Sequence, residues 1–188
     1  MKNFILCLFA IATIVACQSK STPPTSTTAV ETTTTVTTPP PATTSTTTCY
    51  EKREGKDLTA VELTVTNEGV SGYYAWEPHE KDGAHGFFTG TKTGDQITAI
   101  YTYMIEGSIQ SEEVMFKMEN GKLLKARAEL TDPKNDGNLV IKDKNKVKWS
   151  EILTPVDAAK VAGAVKNSKE VYAMIQKEQT IEQSKKKK

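Results

Sequence analysis

The sequence predicts a mainly β fold, a small antiparallel meander of seven to eight strands that forms a barrel or a strongly curved sheet, with a C-terminal helix. Apolar and polar residues alternate with period two through most of the chain after Tyr50. Turn residues interrupt the alternation too often for the long crossovers that parallel strands need. A sheet with one apolar face must close on itself or pack on another layer, so a two-sheet sandwich is the alternative.

The first residues are typical of a secretion signal. Lys2 precedes an apolar run from Phe4 to Val15, which is shorter than the about 20 residues of a membrane-spanning helix. The run ends in Ile14-Val15-Ala16-Cys17, which resembles a bacterial lipobox. The resemblance implies that residues 1–16 are a cleaved signal peptide and that the Cys17 thiol is diacylated, for example with palmitate. We therefore expect a lipoprotein held in the membrane through Cys17.

Residues 17–48 form the next segment, and they are rich in Thr, Ser and Pro with almost no large apolar side chain. Such a segment buries too little apolar surface to offset its ordering entropy, so we expect a disordered tether. Cys49 follows it, and a lone cysteine in the domain predicts a buried or free thiol rather than an intrachain disulfide.

The β domain is expected to span residues 49–155. Its alternating segments lie near residues 61–66, 70–76, 87–91, 97–105, 114–118, 124–130, 139–141 and 147–149. Asn120-Gly121 is a strong signal for a hairpin, because both residues tolerate positive φ. In the strand that follows it, the alternation places Leu124 and Ala126 inside and Lys125 and Arg127 outside. In the last strand, Val147 and Trp149 alternate with lysines in the same way.

Residues 156–188 are expected to be helical and to end in a Lys-rich tail. Thr154 and Pro155 have the residue types of an N-cap and a first helical position. Asn167 and Glu170 indicate that a second helix starts there.

Aromatic residues on the predicted strands are the candidates for lining a ligand site. Inside a barrel they either fill the core or surround an open cavity, and the sequence leaves both alternatives open. The candidates are Tyr74, Trp76, Tyr101, Tyr103 and Phe116.

One loop contains both histidines of the chain together with two acidic residues, in the order His79, Glu80, Asp82 and His85. These side chains are suitable ligands for zinc or copper, but a charged hairpin loop has the same composition. Glu106 and Glu113 lie near strand ends and are a further carboxylate pair to consider. We expect no metal, no cofactor and no catalytic residue; the alternative is a metal-binding or hydrolytic enzyme that uses the histidine loop.

The formal net charge of +1 argues against a nucleic acid partner. The sequence contains no G-x-S-x-G, no phosphate-binding glycine loop and no Cys-x-x-Cys. We expect a non-catalytic β domain that binds a small ligand or another envelope protein. Gln18 lacks the aspartate that is linked to inner-membrane retention, so we expect anchoring in the outer membrane, facing the periplasm or the cell surface.

Several short motifs resemble small uncharacterised lipoproteins of Gram-negative bacteria. They cover roughly Cys49 to Leu130 and include Gly72-Tyr73-Tyr74-Ala75-Trp76, Glu80-Lys81-Asp82-Gly83, Tyr101-Thr102-Tyr103 and Glu113-Val114-Met115-Phe116. The resemblance implies a fold and an envelope location, and it implies no specific activity. Copper-responsive lipoproteins with a small barrel are a more distant comparison, and their Cys-x-x-Cys is missing here.

Overall fold

The structure is a computed structural model that describes residues 44–186. The predicted signal peptide, Cys17 and most of the predicted tether lie outside the described residues. Within this part of the chain, no helix has the length and hydropathy needed to cross a membrane.

The described residues form ten strands, a short 3-10 helix at Lys144–Lys146 and one long α-helix. The elements are β1 Ser45–Glu54, β2 Asp57–Thr66, β3 Val70–Glu77, β4 Ala84–Thr93, β5 Gln96–Ile105, β6 Ser108–Glu119, β7 Lys122–Arg127, β8 Leu130–Thr131, β9 Asn138–Ile141, β10 Lys148–Val156 and α1 Ala158–Lys186.

Eight strands, β1 to β7 and β10, form a closed antiparallel barrel. Strands β1 to β6 each pair with the next strand along the chain, and β10 lies between β7 and β1 and closes the ring. The predicted meander, its closure into a barrel and the C-terminal helix are confirmed. Strands β8 and β9 form a hairpin beside the barrel, and β9 pairs in parallel with Ser111 and Glu112 of β6.

Alternate residues of the strands fill the barrel interior, as the period-two pattern predicts. In β5 these are Ile97, Ala99, Tyr101 and Tyr103, all of which are buried. Gly86 of β4 allows a close approach to β5, since an added Cβ would lie 2.1 Å from the carbonyl oxygen of Thr102. Interior packing and backbone approach together close a narrow barrel around a predominantly apolar core.

Strand β7 has the opposite orientation to the one predicted. Leu123 belongs to the barrel core, and it pairs with Leu153 of β10, another core residue. Ala126 instead belongs to a small cluster outside the barrel with Met115 and Ile141, where Trp149 also packs. The prediction was wrong because the β8–β9 hairpin buries the outer face of β7 as well. Alternation then gives no signal for which face is inside.

Two boundaries also differ from the predictions. Strand β1 begins at Ser45, so residues 45–48 of the predicted tether are part of the barrel. Strand β10 extends through Val156, which places Thr154 and Pro155 in the sheet. The helix begins at Ala158, and the Asp157 side chain accepts a hydrogen bond from the amide of Ala159 at 2.8 Å. A capping carboxylate stabilises this end of the helix.

Helix α1 packs on the outer face of β1 to β4. Val161, Ala164 and Val165 form a cluster there with strand residues that include Ala60 and Ala75. Cys49 is buried in this cluster as a free thiol, and burial is the main cause that raises its pKa. The helix runs without interruption past Asn167, so the predicted second helix does not exist as a separate element.

Candidate functional site

A cavity of about 340 Å³ opens at one end of the barrel. It lies where β3, β5 and β7 end and where β4, β6 and β10 begin. Ten residues line it: Tyr74, Trp76, Ala84, Tyr101, Tyr103, Ile105, Glu112, Lys125, Arg127 and Glu151. Two adjoining cavities of about 120 and 110 Å³ share Arg127 and Glu151 with it. The interior is therefore filled at one end and open at the other.

The open end arises because β6 and β7 separate. Their pairing covers only the stretch from Phe116 to Glu119 of β6, whereas Ser111 and Glu112 of the same strand pair with β9. The side chains of Glu112, Lys125 and Arg127 border the gap between the two strands. Charged side chains thus reach water at this end instead of being enclosed in the core.

Tyrosine side chains form one wall of the cavity. The rings of Tyr101 and Tyr103 stack with centroids 4.5 Å apart, and the Tyr74 ring contacts Tyr101 edge-on at 4.7 Å. The Tyr101 hydroxyl donates a hydrogen bond to the carbonyl oxygen of Tyr74 at 3.1 Å. Trp76 lies at the mouth with 39% of its surface exposed. These contacts hold the aromatic rings of the wall in place.

Four of the five aromatic candidates line this cavity, namely Tyr74, Trp76, Tyr101 and Tyr103. The fifth, Phe116, is fully buried and packs against Phe88 with centroids 5.4 Å apart. It belongs to the filled part of the interior.

All three phenols of the wall resist ionisation. Burial raises the pKa of Tyr74 and of Tyr101 well above the usual value, and the charge of Glu112 adds to both shifts. Burial, followed by the charge of Glu112, raises the pKa of Tyr103 to about 12. At neutral pH the tyrosines are therefore uncharged and can donate hydrogen bonds.

Two carboxylates face the cavity and share one ammonium group. The Lys125 Nζ atom lies 3.8 Å from Glu151 and 5.5 Å from the centre of the Tyr74 ring. The Tyr103 hydroxyl lies 3.4 Å from the Oε2 atom of Glu112 and donates to Gln110 at 3.0 Å. Burial raises the pKa of Glu112, the charge of Lys125 and the Tyr103 hydroxyl oppose the shift, and Glu151 adds to it. The cavity thus combines an apolar wall with a polar, charged side.

The structure places the residues of the histidine loop in separate environments. His79 lies in the β3–β4 loop, where its Nε2 atom is 3.1 Å from Lys56 and its Nδ1 atom is 3.4 Å from Glu80. His85 lies on β4, and its Nε2 atom is 3.7 Å from Glu77. The Nδ1 atom of His85 is buried without a hydrogen-bond partner in the described residues.

Asp82, the fourth candidate of that loop, is exposed. Across residues 44–186, no three His, Cys, Asp or Glu side chains come together as metal ligands would.

The carboxylate pair considered from the sequence is not the pair at the cavity. Glu113 points away from the barrel interior, where its Oε1 atom is 2.6 Å from Lys144 and its Oε2 atom accepts a hydrogen bond from the amide of Ile141. Glu106 lies in the β5–β6 turn at a φ of 50°. Neither residue lines the cavity of about 340 Å³, which has Glu112 and Glu151 instead, and Glu113 borders only the adjoining cavity of about 110 Å³.

Sequence reasoning missed the charged residues of the cavity, although a signal for them exists. Glu112 is two residues before the interior residue Val114, Lys125 is two after Leu123, and Glu151 is two before Leu153. Side chains two apart on a strand share a face. Continuing the alternation through polar residues at the strand ends identifies the cavity side chains, once the interior face of β7 is known.

Comparisons of this chain with protein-family models, with curated proteins and with solved structures found no match.

Proposed function

We propose that this protein is a lipid-anchored lipoprotein of the bacterial envelope whose barrel binds a small ligand without catalysing a reaction. The observation that carries ligand binding is the open cavity of about 340 Å³, with an aromatic wall and a few charged groups. Small-molecule sites commonly have volumes of about 300–1,000 Å³ and this kind of lining. A completely filled interior would have favoured recognition of a partner protein at the outer surface.

The proposed anchor rests on the sequence. The motif ending in Cys17 and the apolar run before it supply the lipidation signal, and the Thr/Ser/Pro-rich segment after it supplies a spacer. A single anchored domain on such a spacer suits a protein that captures small molecules near a membrane. An envelope protein is the other class of partner that we propose for the outer surface.

Ligand binding is tested with a panel of small planar compounds, with 2-naphthamide as the uncharged reference. We expect calorimetry to detect binding, and we expect the shifts of amide resonances to be confined to residues of the cavity. The variant Ala84→Phe places a ring in the cavity and should abolish binding, because Ala84 is buried and lines it. Ala162→Phe is the matched control, since Ala162 is exposed on α1. Absence of binding by every compound of the panel, or equal affinity of the compounds for both variants, contradicts the proposal.

The carboxylates of the cavity favour hydrolysis by general acid–base catalysis as a second candidate. Glu112 has a raised pKa and faces the same cavity as Glu151, and a carboxyl group with a raised pKa can serve as a general acid. Incubation with chromogenic esters and glycosides tests this candidate. Turnover that disappears in both Glu112→Gln and Glu151→Gln would support hydrolysis in place of simple binding.

A further inference from the structure

Among the charged side chains of the cavity, Arg127 is the one without an ion-pair or side-chain hydrogen-bond partner in the described residues. The inference drawn from it rests on the proposed ligand binding. We infer that the ligand has a flat, apolar body and a single carboxylate, which binds the guanidinium group of Arg127. The arginine borders the main cavity and both adjoining ones.

Arg127 differs from the other cavity charges in its partners. Lys125 and Glu151 form an ion pair at 3.8 Å, and the Tyr103 hydroxyl lies 3.4 Å from the carboxylate of Glu112. In the described part of the chain, Arg127 has neither an ion pair within 4.0 Å nor a side-chain hydrogen bond. Arg53, the other arginine, donates to Glu51 at 3.0 Å. Glu112 has a hydrogen bond but no ion pair, so in the described residues Arg127 is the charged side chain of the main cavity that has neither kind of partner.

The neighbouring charges limit the ligand to one negative charge. Glu112 and Glu151 both face the main cavity, and Lys125 is the one ammonium group between them. A doubly charged phosphate monoester would be repelled by these carboxylates as it approached Arg127. A planar carboxylate matches the fork of a guanidinium group and carries the smaller charge.

The aromatic wall of the cavity determines what the rest of the ligand, apart from its carboxylate, should be. Tyr74, Tyr101 and Tyr103 present ring surfaces held by mutual contacts, and Trp76 presents a partly exposed indole at the mouth. Aromatic side chains favour stacked or edge-on contacts with a planar apolar partner. The volume of about 340 Å³ lies at the lower end of the range for ligand sites, which favours a compact body.

The test uses four probes that share one ring system, namely 2-naphthoate, 2-naphthamide, 2-naphthyl phosphate and 2-naphthylmethylammonium. We expect 2-naphthoate to bind about tenfold or more tightly than the amide, as charge-assisted hydrogen bonds predict. The phosphate and the ammonium compound should bind more weakly than 2-naphthoate. Dissociation constants are measured by calorimetry on the chain as it is purified.

Two arginine variants then locate the effect. Arg127→Gln should lower the affinity for 2-naphthoate until it no longer exceeds the affinity of the same variant for 2-naphthamide. Arg53→Gln should preserve the preference, because Arg53 lies on β1 paired with Glu51 and does not line the cavity.

The possible results separate the two proposals. Absence of binding by all four probes, including the uncharged amide, counts against ligand binding itself. Binding without a preference for 2-naphthoate, a preference that survives Arg127→Gln, or tighter binding of the phosphate or the ammonium compound overturns the inference about the carboxylate and leaves ligand binding in place.

Discussion

Individual glycines set how closely the barrel strands approach one another. At Gly86, an added Cβ would lie 2.1 Å from the carbonyl oxygen of Thr102 and 2.6 Å from the Cα atom of Tyr103. Both contacts are with backbone atoms, so a side-chain rotation cannot relieve them. Because Tyr103 belongs to the cavity wall, the same glycine influences the shape of the site.

Replacing Gly86 with Ala should therefore destabilise the barrel, by about 3 kcal/mol if the clash resembles overpacking elsewhere. Gly163→Ala is the matched control, because nothing lies within 4 Å of the added Cβ on α1. It should stabilise the protein by about 0.5–1 kcal/mol through helix propensity. Urea denaturation measures both free energies of unfolding, and equal stability of the two variants would contradict the steric explanation.

The ionisation of Glu112 should make stability depend on pH. Its pKa in the folded protein is raised above the ordinary value of 4.5, mainly by burial, so folding favours the protonated form. The associated stabilisation is fully present below the ordinary pKa and is lost as the pH rises through the raised pKa.

The variant Glu112→Gln imitates the protonated form and should thus be more stable than the wild-type chain at pH 7. The difference should disappear near pH 3.5, because both side chains are then uncharged. Thermal unfolding across this range provides the measurement, with Glu68→Gln at an exposed turn as a control for the loss of one charge. If the difference in stability does not vary with pH, the ionisation of Glu112 is not its cause.

Among the elements, helix α1 continues through residues whose types indicate the start of a new helix. Asn167 and Glu170 have the residue types of a new helix start, yet the helix continues through both. Asn167 donates to Glu77 on β3 at 3.4 Å, and Glu170 lies 3.6 Å from Lys166 one turn earlier. Their polar groups have partners within a continuous helix, so no capping interaction interrupts it.

The hydrogen bond of Ser168 joins this helix to the barrel. Ser168 is fully buried, and its hydroxyl donates to the carbonyl oxygen of Tyr74 at 3.1 Å. Ser168→Ala should lower the free energy of unfolding by about 1 kcal/mol, the usual loss for one such bond. Ser184→Ala removes a comparable bond, to the Ile181 carbonyl, at an exposed position and should have a smaller effect. Equal losses in the two variants would show that burial of the Ser168 hydrogen bond adds nothing to the free energy of unfolding.

For the whole molecule, the main prediction concerns Cys17. If its thiol carries the lipid anchor, Cys17→Ala should abolish incorporation of labelled palmitate and move the protein from the membrane fraction to the soluble fraction. Cys49→Ala is the matched control, because Cys49 is buried in the β domain. Unchanged labelling of the Cys17 variant would contradict the lipobox interpretation.

The barrel and the candidate site differ in how far the sequence predicts them. Alternation in β5 identifies its inward face correctly, because the outer face retains polar or exposed residues such as Ile100 and Thr102. Alternation in β7 does not, because Leu123 packs inside and Leu124 is also buried. Four of the five predicted aromatic positions line the cavity, whereas the charges of Glu112, Lys125, Arg127 and Glu151 were not predicted there.

The sequence by itself determined the antiparallel meander, its turns and the set of aromatic residues available to its interior, because these depend on local periodicity and on the short connections. Only the tertiary structure decided that β10 closes the ring against β1 and that β6 and β7 separate at one end. It also turned Lys125 and Arg127 inward, since the β8–β9 hairpin covers the other face of β7. These features depend on contacts between segments that are distant in the chain, which local periodicity does not report. The separation of β6 from β7 leaves the barrel mouth open.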